Sequence, residues 1–318
     1  CDRRQRQMCI RDRLCGVKNK FDMKGHLALL GANTAWGLMS PIAKYVMAAA
    51  VVSPLLMAGM RMAGAAALFW LSSLSRPAEH VPPRDLLLLA GAGMLGVLLN
   101  QGCFIVGVGL TSPGEASVIT TTMPMWVMLL AWIILHEPVS LKKAAGIALG
   151  AAGAITLVYS STSRMSATGE NPAVGDMLVL AAQLCYALYL TLYRDFIRRY
   201  SLVTLMKWMF TFATLAVIPV ALPSALDTFW EQVDKLQWSG IAYVVVIGTY
   251  VAYICVMAGQ KRLRPTIVGM YNYMQPVVAM AVGVVLGFDK FTPLKVVAIV
   301  FIFAGVYLVT ISLSLIHI

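Results

Sequence analysis

Arg61 lies seven residues beyond Pro54 within an apolar run. At helical rise this carries its guanidinium roughly 10 Å into a membrane. A cation at that depth is costly and turns toward protein or a water-filled cavity. Contact with an anionic group of a solute, or service as a gate, is one use for it. A structural ion pair with Glu115, or snorkelling of the long side chain, is the other. Lys44 stands only a few residues from the end of its own run, so snorkelling would satisfy it, with a gating or structural place at a cavity as the second reading.

Aromatic and amide side chains recur within the apolar runs. Trp36, Trp126, Tyr186, Tyr250, Tyr253, Tyr271 and Tyr273 could sandwich a planar or cationic solute, or pack a core and anchor an interface. Asn33, Asn100, Gln101, Gln183, Asn272 and Gln275 would leave donors and acceptors unpaired against lipid, so they should face inward, toward solute or toward one another. Thr120, Thr121 and Thr122 are expected to bond back to their own helix. Pro124 and Pro276 each delete a backbone bond, which can open a carbonyl, permit bending or impose a static kink. Glu137 and Asp289 follow matching runs and suit caps or ion pairs with nearby lysines, Lys142 and Lys143 for the first, Lys290 or Lys295 for the second. Gly146 with Gly150, and Gly283 with Gly287, have the spacing of close helix packing, within the bundle or in a dimer.

Other chemistry is poorly provided for. No Asp, Glu or His falls near the middle of an apolar run, which argues for facilitated export, exchange or coupling through an acid at a boundary rather than a midplane proton relay. His136-Glu137 is the one titratable pair at an interface, and there is no HExxH, GxSxG or P-loop pattern. Cys103, Cys185 and Cys255 stand singly, without metal spacing or a disulfide framework. No enzyme activity, metal or cofactor is expected.

The elements that must position these residues are membrane spans. Of 318 residues, 59% are apolar and 12% charged, and the mean hydropathy is +0.78, far too apolar for a soluble domain. Runs of roughly 20 residues, the length that crosses a bilayer as a helix, fall near 25–46, 54–73, 85–109, 113–136, 141–159, 175–196, 202–222, 239–259, 265–287 and 293–312. The first run is long enough to span and is followed by others, so it reads as a retained helix rather than a cleaved signal. With the N-terminus cytoplasmic, fourteen Lys and Arg fall inside and four outside, namely Arg164, Lys235, Lys290 and Lys295. That asymmetry orients the chain with both termini cytoplasmic and ten crossings, in a cell membrane of the bacterial inner-membrane type.

Met8 to Arg13 and Leu313 to Ile318 are what one DNA element encodes when read in its two directions, the pattern of a sequencing adapter. Residues 1–22 are therefore expected to be adapter scar and non-native leader, with Met23 the native start, and 313–318 a second scar. Five of the 25 basic and two of the 14 acidic residues fall within residues 1–13, the adapter scar itself, so the chain without them keeps a net charge of +8. These charges lie between apolar runs rather than in one patch, which excludes a nucleic-acid surface.

The chain also repeats. Gly25 matches Gly175, Trp36 Tyr186 and Lys44 Arg194 at a separation of 150. Gly96 matches Gly248, Cys103 Cys255, Pro113 Pro265, Pro124 Pro276, Glu137 Asp289 and Gly153 Gly305 at 152. Residues 23–160 and 161–312 are thus expected to be two five-helix repeats. An odd span number inverts the second relative to the first, as in secondary carriers whose solute site sits at the repeat interface.

Trp36-Gly37 with Lys44, Pro54 with Arg61, Thr111-Ser112-Pro113 through Pro124 into Glu137, and Arg264-Pro265 through Gln275-Pro276 into Asp289 together resemble the EamA-type carriers of the drug/metabolite transporter superfamily, over Met23 to Ser312. The resemblance implies an all-α integral membrane fold of ten helices in two inverted halves. It also implies a central cavity lined largely by spans one, three, four, six, eight and nine, and export or exchange of small metabolites, amino acids or similar, by alternating access. Arg61 has Thr211 opposite it in the repeat and is therefore unduplicated. A multi-pass enzyme acting on lipid, or a channel, remains the alternative. The expected partners are the bilayer and a small solute, with the chain a monomer or homodimer.

Overall fold

The computed structural model describes residues 23–48, 51–136, 141–162, 171–197, 199–260, 262–263, 271–272, 274–290 and 292–314. Glu137, Tyr273 and most of the two ends read as scars lie outside the described residues. The described residues are helical and contain no strand.

The helices, in chain order, are α1 (Met23–Ala48), α2 (Pro54–Leu74), α3 (Pro83–Leu110), α4 (Pro113–Ile134), α5 (Leu141–Thr162), α6 (Pro172–Leu192), α7 (Leu202–Leu226), α8 (Lys235–Gly259), α9 (Met274–Val285) and α10 (Pro293–Ser314). Six of them, α2, α3, α4, α6, α7 and α8, are long and apolar enough to cross a membrane, and shorter apolar stretches lie in α5, α9 and α10. α1 is 26 residues long but carries Asn33, Thr34, Ser40 and Lys44, because it faces the protein centre rather than lipid.

Helix starts follow from capping residues beside proline. Ser53, Ser112 and Asn171 each stand before a Pro at the first helical position, and each side chain accepts a backbone N–H of the first turn, satisfying a donor that the helix cannot. Ser201 caps α7 in the same way, and Asp234 with Gln237 forms a capping box on α8. Ser201 is itself held by Glu79, which accepts from its N–H and hydroxyl.

The main helix contacts recur when the two halves are exchanged. α2 lies on α7, α5 on α10 and the start of α4 on α9, while α3 and α4 pack on α6 as α8 and α9 pack on α1. Backbone detail repeats as well. α3 is π-helical over Met94–Leu99 and α8 over Tyr243–Val251, around the matched glycines Gly96 and Gly248. α5 and α10 approach backbone to backbone, since a Cβ at Gly305 would stand 2.6 Å from Gly150 N and 2.7 Å from Gly146 O. The glycine spacing in α5 is therefore used inside the bundle. Gly283 and Gly287 differ from that expectation. Gly283 makes room for the Asp289 carboxylate, and Gly287 takes φ 77° in the turn after α9.

Candidate functional site

A cavity of about 270 Å³ opens where the halves meet. It is lined by Leu29, Asn33, Trp36, Met39 and Ser40 of α1, Arg61 of α2, Asn100, Gln101 and Phe104 of α3, Ser117 to Pro124 of α4 in part, Gln183 and Tyr186 of α6, Tyr253 and Val256 of α8, and Asn272 and Gln275 at α9. This is the lower end of ligand-pocket size, the room of roughly nine waters at about 30 Å³ each.

Arg61 is 3% exposed. Its Nε donates to Thr249 Oγ1 at 2.7 Å, and Thr249 in turn donates to Val244 O at 2.8 Å. That second bond runs within the π-helical stretch of α8, so the backbone irregularity seats the threonine that seats the arginine. No acid lies within ion-pair distance of Arg61 among the described residues. Glu115 pairs with Lys295 instead, at 3.0 Å, which corrects the Arg61–Glu115 pairing expected as one reading. Thr249 carries no mark in the sequence beyond the repeated glycine, Gly248, one residue before it.

Gln101 donates from Nε2 to Tyr253 OH at 3.0 Å, and its Oε1 is the one buried side-chain polar atom without a partner among the described residues. Other amides tie helices together. Asn33 donates to Leu29 O and accepts from Gln275 Nε2, both at 2.8 Å, which ties α1 to α9. Asn100 donates to Ala182 O at 2.9 Å, which ties α3 to α6. Trp36 meets Tyr253 edge to face at 5.8 Å, and Tyr186 lies against Tyr189 at 5.7 Å. Ser40 and Ser117 face each other at 3.3 Å, a pair the sequence did not single out.

Three aromatic candidates do not line the cavity. Tyr250 turns to α2, bonding Ser72 and packing on Phe69. Tyr271 hydrogen bonds His26 at 2.8 Å. Trp126 falls beyond Pro124, after a break in α4. The break is local: Thr120, Thr121 and Thr122 bond back to Ser117, Val118 and Ile119 carbonyls, each at 2.7 Å, and α4 turns between Thr120 and Met123. Pro124 therefore borders the cavity at a break, whereas Pro276 is buried in the first turn of the described part of α9.

Beyond the cavity a second polar group joins the ends of α3, α4, α6 and α10. Thr111 donates to Asp176 Oδ1 at 2.6 Å and to Glu115 Oε2 at 3.1 Å, and Ser112 donates to Glu115 Oε2 at 2.9 Å. Asp289 accepts from Gly114 N at 3.0 Å, so its expected pairing with Lys295 gives way to a backbone donor at a helix start. Burial pushes the Asp289 carboxyl above the usual carboxylate range, against the Ser112 and Gly114 hydrogen bonds and the Lys295 charge. Lys44 does not snorkel; it donates to Gly109 O, fixing α1 to the end of α3.

The sequence matches the EamA-like transporter family twice, over residues 23–159 and 173–311. It is 23% identical over 299 residues to the uncharacterized transporter YetK of Bacillus subtilis, covering 93% of this chain and 90% of that one. It is 28% identical over 265 residues to the uncharacterized inner membrane transporter YedA of Escherichia coli, covering 81% and 82%. A solved crystal structure superposes with a TM-score of 0.59 at 20% identity, over 91% of this chain and 97% of the other, which shows a shared fold. The matches cover both halves of the chain and place the described helices in a known multi-pass membrane architecture: the chain belongs to the EamA-like transporter family.

Proposed function

We propose that this chain is a carrier that exports or exchanges small metabolites, amino acids or similar molecules, by alternating access through ten spans in two inverted five-helix repeats. The observation that carries the reading is the cavity between the repeats, built from both halves, with amides and hydroxyls among its apolar lining and bearing a buried cation. Both termini are cytoplasmic by the Lys and Arg asymmetry. The contacts agree with that alternation, since Glu115, Asp176, Asp289 and Lys295 gather at one end and Glu79, Asp85, Tyr200 and Ser201 at the other. On this reading the Glu115–Lys295 pair, with the Thr111, Ser112 and Gly114 bonds, shuts the outer end, and exposure to the outside requires that group to part while the halves rock. The chain would work in a bacterial inner membrane, as a monomer or homodimer.

A membrane enzyme is less well supported, because among the described residues the cavity lining has no Asp, Glu, His or Cys to serve general acid–base or nucleophilic chemistry. Counterflow in proteoliposomes, with labelled amino acids, nucleotides and cationic dyes, separates carrier from channel. A carrier gives saturable uptake accelerated by unlabelled solute on the far side. Flux that neither saturates nor accelerates would indicate a pore, and no flux of any class in folded protein would bring the enzyme forward.

A further inference from the structure

Among the described residues that line the cavity Arg61 is the one with a charge, and none of the described acids neutralises it. Its Nε is committed to Thr249, which leaves the terminal nitrogens, with the fork that grips a carboxylate bidentately, without a protein acceptor. Closing such a cavity over an unpaired cation is costly. The missing charge is therefore expected to arrive with the solute.

The second unpaired group is Oε1 of the cavity-lining Gln101, without a donor and closed off in this conformation, so that a solute reaches it by turning the amide toward the cavity. A buried acceptor left unpaired costs about 1–3 kcal/mol, so a bound molecule gains by presenting an N–H there. The two positions are neighbours. Arg61 hangs on Thr249 and Gln101 on Tyr253, and those two residues of α8 are four apart, roughly 6 Å or one helical turn. The aromatic faces of Trp36, Tyr186 and Tyr253 border the same space. Among the described residues no carboxylate lines it to pair with an ammonium.

We propose that the cavity takes a small monocarboxylate carrying an uncharged N–H donor a few bonds from the carboxylate, net charge −1, with the carboxylate on Arg61 and the N–H on Gln101 Oε1. N-acylated amino acids have this chemistry; a free zwitterion leaves its ammonium without a counter-charge, and an amide lacks the anion. This rests on the carrier reading and refines its substrate class. A consequence is that solute-free return is slow, since the empty cavity must close over a bare guanidinium, so exchange outruns net efflux.

The test is counterflow in proteoliposomes with N-acetylphenylalanine, phenylalanine, phenylalaninamide and N-acetyl-N-methylphenylalanine, the last lacking the N–H. Native protein is expected to exchange N-acetylphenylalanine about tenfold better than the amide or the N-methyl compound, the factor that one good hydrogen bond supplies. Gln101→Leu should abolish the preference over the N-methyl compound while keeping the preference over the amide. Arg61→Met should abolish the latter, and Arg61→Lys should retain part of it, with monodisperse elution in detergent showing each variant folded. Exchange of phenylalanine or the amide in preference to N-acetylphenylalanine would overturn the proposal and leave the carrier standing. Absence of exchange for every compound here and in the wider panel would overturn both.

Discussion

Glu115 and Lys295 form an ion pair at 3.0 Å, with both side chains almost fully buried, joining the first turn of α4 in one repeat to the first turn of α10 in the other. Thr111 and Ser112 donate to the same Glu115 oxygen, so the carboxylate is held on several sides. Removing one partner of a buried pair strands the other charge, at about 3–5 kcal/mol. Glu115→Gln and Lys295→Met are each expected to lower the melting temperature in detergent markedly. The double variant should recover much of the loss, which a double-mutant cycle will read as coupling.

Arg61 makes the opposite case. It is buried with no acid partner among the described residues, so neutralising it removes a desolvated charge rather than breaking an ion pair. Arg61→Met is expected to leave the melting temperature unchanged or raised while the preference for the carboxylate solute over its amide is lost. A loss of stability of the size expected at Lys295 would show that Arg61 is structural.

Asp289 gives a pH dependence whose sign follows from burial. Its carboxyl lies above the usual carboxylate range in the folded protein, so the protonated form is favoured on folding. Its contribution is therefore present below the ordinary aspartate value, ~3.9, and is lost as pH rises through the raised value. Relative to Asp289→Asn, the native chain should lose stability as pH climbs from ~4 toward neutrality. A melting-temperature difference that is flat across that range would contradict this.

At Gly305 the neighbours of an added Cβ are Gly150 and Gly146 backbone atoms, which cannot rotate away as a side chain can. Gly305→Ala should cost about 1–3 kcal/mol through overpacking. Gly31→Ala, with nothing within 4 Å of its Cβ, should be neutral or slightly stabilising, as alanine is the better helix former.

The starts of the helices were legible because Ser, Asn and Pro at their heads act locally, through a cap and a fixed φ. The repeat was legible because prolines and glycines hold their register. The rotation of each helix was not. A span apolar all round carries little information about which face meets the centre, so Trp126, Tyr250 and Tyr271 were grouped with Trp36, Tyr186 and Tyr253 although the fold separates them. Tyr250 and Tyr253 are only three residues apart, but Tyr250 falls within the π-helical stretch and is turned to Ser72. That stretch changes the helical phase and has no sequence mark beyond Gly248. Arg61 was recognised as a buried cation from its depth. Its seat on Thr249 joins positions 188 apart, a pairing that only the packed structure supplies.

The central claim, that the cavity is a solute site reached alternately from two sides, is tested most directly by the two-sided reactivity of Ser117→Cys in an otherwise cysteine-free chain. Ser117 lines the cavity and is buried. A membrane-impermeant maleimide should label it from the cytoplasmic side in the native background. Adding Glu115→Gln should raise labelling from the outside while cytoplasmic labelling falls in step. Labelling from one side only, unmoved by Glu115→Gln, would contradict alternating access, and labelling from both sides that rises together would indicate a pore.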